Sequence, residues 1–490
     1  MTWWLVAASV GAALPAGLRW LRVAQREHYL PGEVTRFSVR WWETTGSVNR
    51  TLWVFALFAI LWSVTMYPWA ALVVPVVAAI GPIGLSTKGT TSPLAWTPRL
   101  RRVAVVSGLM LALSFIVGGV LDEPWLVATS LFLLASIVDL ALVILRPYEK
   151  HRGDEWVDKA AAKLAAVGPE VVAMTGSYGK TTTKNYLAHL LGGSRRVVAS
   201  PASFNNRMGL ARAINENLAP GTEVFIAEMG TYGYGEIAEL CEWISPKVAA
   251  MISVGPVHLE RFGTTRDIAL AKSEILERAE VGVICVDYPE LRRIADERRE
   301  DLPIIEVSSA GGIHVAGERV IGLPRGVFAE NLAVALGIVA ALEIPLPEVL
   351  GRVADLPKTE HRQTKMTGAG GFIIIDDTFN SNPDGARSAL HELVGATAGG
   401  RSAVVTPGMV EMGQRQEAEN EDFARSAAAL VDHFVVVGRT NREALLRGSA
   451  NGKASVTVVG SREDAVEWVR ENLGPGDAVL YENDLPDHYP

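Results

Sequence analysis

The sequence predicts an α-helical membrane domain followed by two α/β domains, one built on a phosphate-binding loop and a smaller one of Rossmann-like form. Three observations predict it. Apolar stretches of membrane-spanning length crowd the residues before 147. A short apolar strand runs into a glycine loop and then a helix over residues 170–191. After residue 372, apolar strand-like runs alternate with helical stretches, the pattern of a parallel sheet with crossover helices.

Length and composition agree. A chain of 490 residues is too long for one core. The boundaries fall at residues 1–150, 151–357 and 358–490. Hydrophobic residues make up 49% and charged residues 20%, with a mean hydropathy of +0.20. Charge is scarce in the apolar runs of the first part and plentiful after it. A net charge of -8 argues against nucleic acid as a partner, because a duplex binder needs a basic face. Cys241 and Cys285 alone give no disulfide framework, and a reducing compartment is the simpler reading.

The apolar stretches run over Trp3–Leu18, Thr51–Met66, Trp69–Leu85, Val103–Val120 and Trp125–Leu145, which predicts about five crossings. Lipid offers no hydrogen bonds, so each must be a helix. The links carrying Arg19 to Arg50, Lys88 to Arg102 and Arg146 to Arg152 are basic, whereas Tyr67-Pro68 and Asp122-Glu123-Pro124 hold no Lys or Arg. The positive-inside rule puts the basic links in the cytoplasm and the N-terminus outside, in a plasma or inner membrane. Trp3, Trp4, Trp41, Trp42, Trp53, Trp69 and Trp125 sit where an interfacial belt is expected. The stretches read as free of the internal charges that mark a polar pathway, which argues against a transporter. Anchoring needs one helix. Five suggest a groove for a membrane lipid or a surface for a membrane-protein partner.

Glu170-Val-Val-Ala-Met174 reads as a buried strand, Thr175-Gly-Ser-Tyr-Gly-Lys-Thr-Thr-Thr183 as a loop, and Lys184–Leu191 as a helix. Loop amides and the helix dipole converge on one point and favour an anion there. Gly176 and Gly179 allow close approach, Ser177 and Thr182 flank the phosphates, Lys180 supplies a charge, and Thr181 reaches a Mg²⁺ ion. Met174 stands where a full Walker pattern has its first glycine. Glu228 ends the apolar strand Glu223–Ala227, where an open α/β sheet binds its ligands. Its carboxylate suits Mg²⁺. His258 follows Met251–Val254, read as another strand end, and Lys272 lies in a helical stretch, Asp267–Arg278. Val327–Ala341 reads as an apolar helix carrying Asn331.

These segments, in this order, resemble the Mur ligase family, and most closely its D-alanyl-D-alanine-adding (MurF-type) branch. The loop at 175–183 is similar to the family's phosphate loop. Ser203-Phe-Asn-Asn-Arg-Met-Gly209 resembles its substrate-side loop, which makes Asn205 and Asn206 substrate candidates. Ala227-Glu-Met-Gly230 resembles the segment of a metal-binding glutamate, and Val257-His-Leu-Glu-Arg-Phe-Gly263 that of a metal-binding histidine. Ala271-Lys-Ser-Glu-Ile275 resembles the site of a carbamylated lysine. The resemblance therefore implies Thr181, Glu228, His258 and Lys272, as its carbamate, around Mg²⁺. It gives Asn331 a contact with adenine, although Val327-Phe328 replaces the family's His-Asn. It puts Arg362, in the hinge-like Pro357–Gln363, on the γ-phosphate. Ile375-Asp-Asp-Thr-Phe-Asn-Ser-Asn-Pro383 opens the third domain, with Asp377 on the ribose and Asn380 and Asn382 shaping the loop as weaker substrate candidates.

The implied activity is ATP-dependent joining of a carboxylate to an amine, with Lys180, Glu228, His258 and Lys272 at the centre. Carboxylate oxygen is a poor leaving group. Phosphoryl transfer gives an acyl phosphate that an amine can attack, and positioning and charge stabilisation are the protein's tasks. The expected partners are a carboxylate-bearing envelope precursor and an amino acid or peptide. Membrane helices stand in place of the UDP-sugar-binding domain, and the acidic, aromatic segment Tyr481–Pro490 replaces the branch's Lys-Gly-Ser, so a UDP-muramoyl tripeptide is not the favoured acceptor. Two alternatives remain open: a polymerising ligase of the poly-γ-glutamate synthase kind, and a non-catalytic nucleotide-binding scaffold.

Overall fold

The computed structural model describes all residues except 1, 45–46, 86–92, 202–203, 258, 325–326, 358–363, 369, 379–381, 398 and 486–490, and omits the side chains at 43, 44, 47, 260, 364 and 384. Contacts divide the chain into a helical unit ending near Arg152 and an α/β unit beginning at Gly153.

The helical unit holds helices Thr2–Arg26, Glu33–Thr44, Ser47–Thr65, Val73–Ile80, Pro98–Val120 and Pro124–Phe132, and the start of Leu134–Val167, with a 3₁₀ segment at Pro68–Leu72. Among the described residues, three helices are long and apolar enough to cross a membrane, or four if the last pair, bent by 71°, counts as one span. This differs from the five expected crossings. The fifth stretch is broken at Leu133. The third forms only a short helical piece over Pro68–Ile80. That piece nevertheless turns back along its predecessor. Asn49, at the start of Ser47–Thr65, donates to Ile83 O at 2.9 Å and accepts from Ile83 N at 2.8 Å. The Arg19 guanidinium caps the same end, donating to Ala79 O at 2.9 Å and Gly81 O at 2.7 Å.

The first basic link also differs from expectation. It folds as the amphipathic helix Glu33–Thr44, which buries Val34, Phe37, Trp41 and Trp42 and exposes Arg36 and Arg40. Trp41 and Trp42 are therefore core residues rather than belt residues. Asp139 corrects the reading that the apolar stretches lack internal charge. It is buried and accepts from Thr35 N at 2.7 Å and Val34 N at 3.3 Å, capping that helix.

The α/β unit has two sheets. The first contains β1 (Glu170–Thr175), β2 (Val197–Ala199), β3 (Val224–Glu228), β4 (Val248–Met251), β5 (Val281–Cys285), β6 (Ile304–Ser308), β7 (Ile313–Val315) and β8 (Glu318–Ile321), in the order β2-β3-β1-β4-β5-β6-β7-β8. It is parallel from β2 through β6, and the last two strands are an antiparallel extension. Val, Ile and Ala fill β1, β3 and β4 because both sheet faces are covered.

The second sheet holds β9 (Thr364–Thr367), β10 (Ile373–Asp377), β11 (Ser402–Thr406), β12 (His433–Val437), β13 (Ser455–Val459) and β14 (Ala478–Glu482), in the order β13-β12-β11-β14-β10-β9. All neighbours are parallel except β9 with β10. Helices cover both faces. Leu390, Phe423 and Leu445 pack on one, and Ala465 and Val469 on the other. Asp377, Glu482 and Thr406 end adjacent strands at the carboxyl edge.

Candidate functional site

β1 hands directly to the loop Gly176–Gly179 and then to the helix Lys180–Leu191. Gly179 has φ 76°, a left-handed conformation that L side chains avoid, and a Cβ there would fall 2.0 Å from Asn331 Nδ2. The segment after β4 pins the loop. Ser177 N donates to Ser253 O at 3.0 Å, Tyr178 N donates to Ser253 Oγ at 2.8 Å, and Gly255 N donates to Ser177 Oγ at 3.0 Å. Lys180 Nζ folds back to donate to Gly176 O at 2.6 Å. Thr182 is buried on the helix. Thr175 Oγ1, beneath the loop, is buried and has no partner among the described residues.

Glu228 ends β3, next to β1 in the sheet, which brings its carboxylate under the loop. Lys184 Nζ donates to Glu228 Oε2 at 2.8 Å, and the two side chains are only 3% and 4% exposed. Thr181 Oγ1 donates to the same oxygen at 3.0 Å, and Asn205 Nδ2 approaches Oε1 at 3.4 Å. Burial pushes the Glu228 carboxyl up, but the Lys184 ion pair and hydrogen bond, Lys180 and Thr181 outweigh it, and the net shift is downward. Ser200 Oγ accepts from Glu228 N at 3.1 Å.

Lys272 lies on the helix Thr265–Ser273 and is 4% exposed, with no hydrogen bond or ion pair among the described residues. Burial, and then the Lys180 charge, hold its amine well below the ordinary 10.5. It is therefore biased toward the neutral, nucleophilic form.

The expected residues Gly176, Ser177, Gly179, Lys180, Thr181, Thr182, Glu228, Asn205 and Lys272 thus gather at the carboxyl edge of the first sheet. Asn331 gathers there too, but its amide donates to Gly179 O at 2.8 Å and Thr183 Oγ1 at 2.9 Å, leaving only Oδ1 for a ligand. Asn206 and Asn382 are N-caps, accepting from Gly209 N and Gly385 N at 2.9 Å each. Asp377 stands on the second sheet, buried at the end of β10. His258, Arg362 and Asn380 lie outside the described residues. Sequence reading missed Lys184, Ser200 and Ser253. Lys184 had a signal, since it lies four residues after Lys180 on one helix. Ser200 and Ser253 had none, because their partners are distant in sequence. A cavity of about 650 Å³, lined by Val286, Asp287, Pro289, Arg292, Ser309 and Glu330 among others, adjoins Asn331 through the chain.

Known proteins are similar to this chain in sequence and in fold. Residues 174–327 match the Mur ligase middle domain, and residues 361–481 match the Mur ligase glutamate ligase domain. The chain is 30% identical over 369 residues to the UDP-N-acetylmuramoyl-tripeptide--D-alanyl-D-alanine ligase of Mycobacterium bovis, covering 65% of this chain and 71% of that one. It is 26% identical over 346 residues to the Bacillus subtilis ligase of the same name, covering 66% of this chain and 74% of that one. The fold is similar to that of MurF from Thermotoga maritima, solved in complex with ADP, with a TM-score of 0.55 and 24% identity over 68% of this chain and 80% of that one.

Proposed function

Because the chain belongs to the Mur ligase family of ATP-dependent ligases, we propose that it forms an amide bond in cell-envelope synthesis, from the membrane and through an acyl phosphate. The observation that carries this reading is the set of Lys180, Thr181, Lys184 and Glu228 under the loop, with a neutral-biased Lys272 buried beside Lys180. A nucleotide, a carboxylate and a phosphoryl group in flight are all anionic, and this set offers the Lys180 cation and a carboxylate suited to a divalent ion where they would meet.

ATP and Mg²⁺ are the cofactors of the family. The donor set fits a hard cation: the Thr181 hydroxyl meets the Glu228 carboxylate at 3.0 Å, and that carboxylate is held ionised. Thr181, Glu228, His258 and Lys272 as a carbamate are the proposed metal ligands, the last two on the strength of the family resemblance. A neutral Lys272 amine is the form that adds carbon dioxide, with the N–C bond forming as a proton leaves for solvent. Bound Mg²⁺ would supply charge neutralisation at the phosphate oxygens. Gly176, Ser177, Gly179, Lys180 and Thr182 cradle the phosphates. The cavity beside Glu330 and Asn331 offers room for the base. Asp377 and Arg362 belong to the nucleotide from the second sheet's side, and Asn205 and Asn380 to the acceptor. Asn206 and Asn382 act by capping the helices that shape those loops.

The domains are read as 1–150 membrane, 151–357 nucleotide-binding and 358–490 C-terminal, with both α/β parts cytoplasmic. The apolar helices and basic links support that reading. The M. bovis relative's name supports a muramoyl peptide acid and a D-alanyl-D-alanine amine as the substrate classes to test first.

Phosphate release by the detergent-solubilised chain, screened over pairs of acids and amines with Lys180→Ala as control, tests the function. Release that needs both partners and vanishes in the variant is expected. Ladders of product would point to polymerisation. ATP binding without release from any pair would overturn the ligase reading in favour of a scaffold.

A further inference from the structure

The carboxylate that a divalent cation would need is already neutralised inside the protein. Lys184 follows Lys180 by one turn of the helix Lys180–Leu191, which packs against β3. Its ammonium donates to Glu228 Oε2 at 2.8 Å, and both side chains are almost wholly buried. Thr181 Oγ1 is a second donor to the same oxygen, at 3.0 Å. Oε1 is held more lightly, by Asn205 Nδ2 at 3.4 Å. A buried ion pair adds little to stability over apolar side chains of the same size, so the consequence of this one lies in its charge.

That consequence is specific. A divalent cation approaching Glu228 alone meets a carboxylate with an ammonium at hydrogen-bond distance, so the net field of the pair is weak. Lys180, whose charge also reaches Glu228, adds to the repulsion. Among the described residues, no group of three or more His, Cys, Asp or Glu side chains gathers that could hold the ion instead. These protein groups alone fall short of the anionic oxygens that a hard cation requires, and the phosphates of a nucleotide supply them.

We propose that Lys184 is a positioning residue that makes divalent-metal binding at Glu228 depend on nucleotide. By neutralising the carboxylate it keeps the cation out of the empty site, and the cation enters only with a nucleoside di- or triphosphate whose oxygens complete its shell. The proposal rests on the nucleotide and metal reading above. With Lys184 removed, Glu228 becomes an uncompensated buried carboxylate, and a divalent cation is a partner that relieves it. Loss of Lys184 should therefore create metal binding without nucleotide, a gain tied to one carboxylate.

The test uses the full chain in detergent and Mn²⁺ as the probe. Protein-associated Mn²⁺ is measured on a gel-filtration column equilibrated with the metal. The parent should bind Mn²⁺ weakly alone and more tightly with ADP. Lys184→Met should bind Mn²⁺ without nucleotide about 10- to 100-fold more tightly than the parent. Mn²⁺ alone should raise the Tm of that variant and leave the parent's unchanged. Lys184→Met combined with Glu228→Gln, which buries no charge at the pair, should lose the gain. Lys184→Gln covers the case in which Lys184→Met does not fold, since its amide can still donate to Glu228. Nucleotide-free affinities that match the parent's in both Lys184 variants overturn the assignment, as does a gain that survives Glu228→Gln. A parent that binds Mn²⁺ equally well with and without ADP also overturns it. A parent that binds Mn²⁺ neither alone nor with ADP overturns the metal reading, and the proposal with it.

Discussion

At the scale of single residues, two buried groups make stability rise with pH, one through a gain and one through a penalty. Glu228 is depressed below its ordinary 4.5, so its contribution to stability is present above that value and is lost as pH falls through the lower folded value. Glu228→Gln leaves Lys184 buried beside a neutral amide and should destabilise the fold by about 3 kcal/mol at pH 7. Urea midpoints at pH 7 and pH 3.5 should differ less in the variant than in the wild type. Lys272 gives the same sign through a penalty rather than a gain. Its folded value lies below 10.5, so between the two values the unfolded chain binds more protons, and stability rises with pH. Lys272→Met removes a penalty that grows as pH drops from 10.5. The variant should melt higher than the parent at neutral pH, yet form no amide. A lysine that costs stability and cannot be spared for activity belongs to the chemistry. A Tm that falls in Lys272→Met would instead make it a packing residue.

At the scale of elements, the strand-loop-helix unit was legible because its signals are local: an apolar strand, two glycines and a helix start in one run of sequence. Its support was not. Ser253 and Asn331 reach the loop from up to 152 residues away, Ser200 holds the backbone of Glu228, and only the fold shows it. The same holds for the strand ends. β4 stops at Met251, three residues earlier than its apolar run suggests, because Ile252–Gly255 turns to bind the loop. β13 escaped notice because it is an edge strand, with alternating exposed residues in place of an apolar run. The polar caps Asn206 and Asn382 were read as substrate ligands for want of the helices they start. Gly179→Ala tests the unit as a unit. The new Cβ meets Asn331 Nδ2 at 2.0 Å and the residue must leave φ 76°. That strain alone is about 1–2 kcal/mol. ATP affinity, measured by equilibrium binding, should fall at least tenfold while the second sheet's ligands are untouched. Unaltered affinity would show that the loop does not hold phosphate.

At the scale of the whole molecule, the proposed membrane reading turns on how many times the first part would cross a bilayer. Helix length alone gives three or four crossings, and four alternating crossings put both Arg99 to Arg102 and Arg146 to Arg152 on the opposite side from the Arg19-to-Arg50 link. The side chains point to a different answer. The thirteen-residue piece Pro68–Ile80 covers only about 20 Å as a helix, short of the ~30 Å of a hydrocarbon core. Yet Asn49 and Arg19 fasten its end to the level where Ser47–Thr65 begins and Thr2–Arg26 leaves its apolar half. On the proposed membrane reading the chain would go out and return between residues 49 and 83, with the short helix completed by non-helical backbone whose carbonyls Arg19 satisfies. Backbone of this kind is tolerated at membrane depth where protein groups bond it. The return restores all basic links to one side, as the positive-inside rule requires. Single cysteines at Tyr67 and Arg101 decide the matter, since Cys241 and Cys285 are buried and unreactive, the Cys241 thiol being pushed up to about 12. A membrane-impermeant maleimide should label Tyr67→Cys in intact cells and Arg101→Cys only after permeabilisation. Labelling of both from one side would mean that the hairpin does not cross, and would place the basic links on both faces.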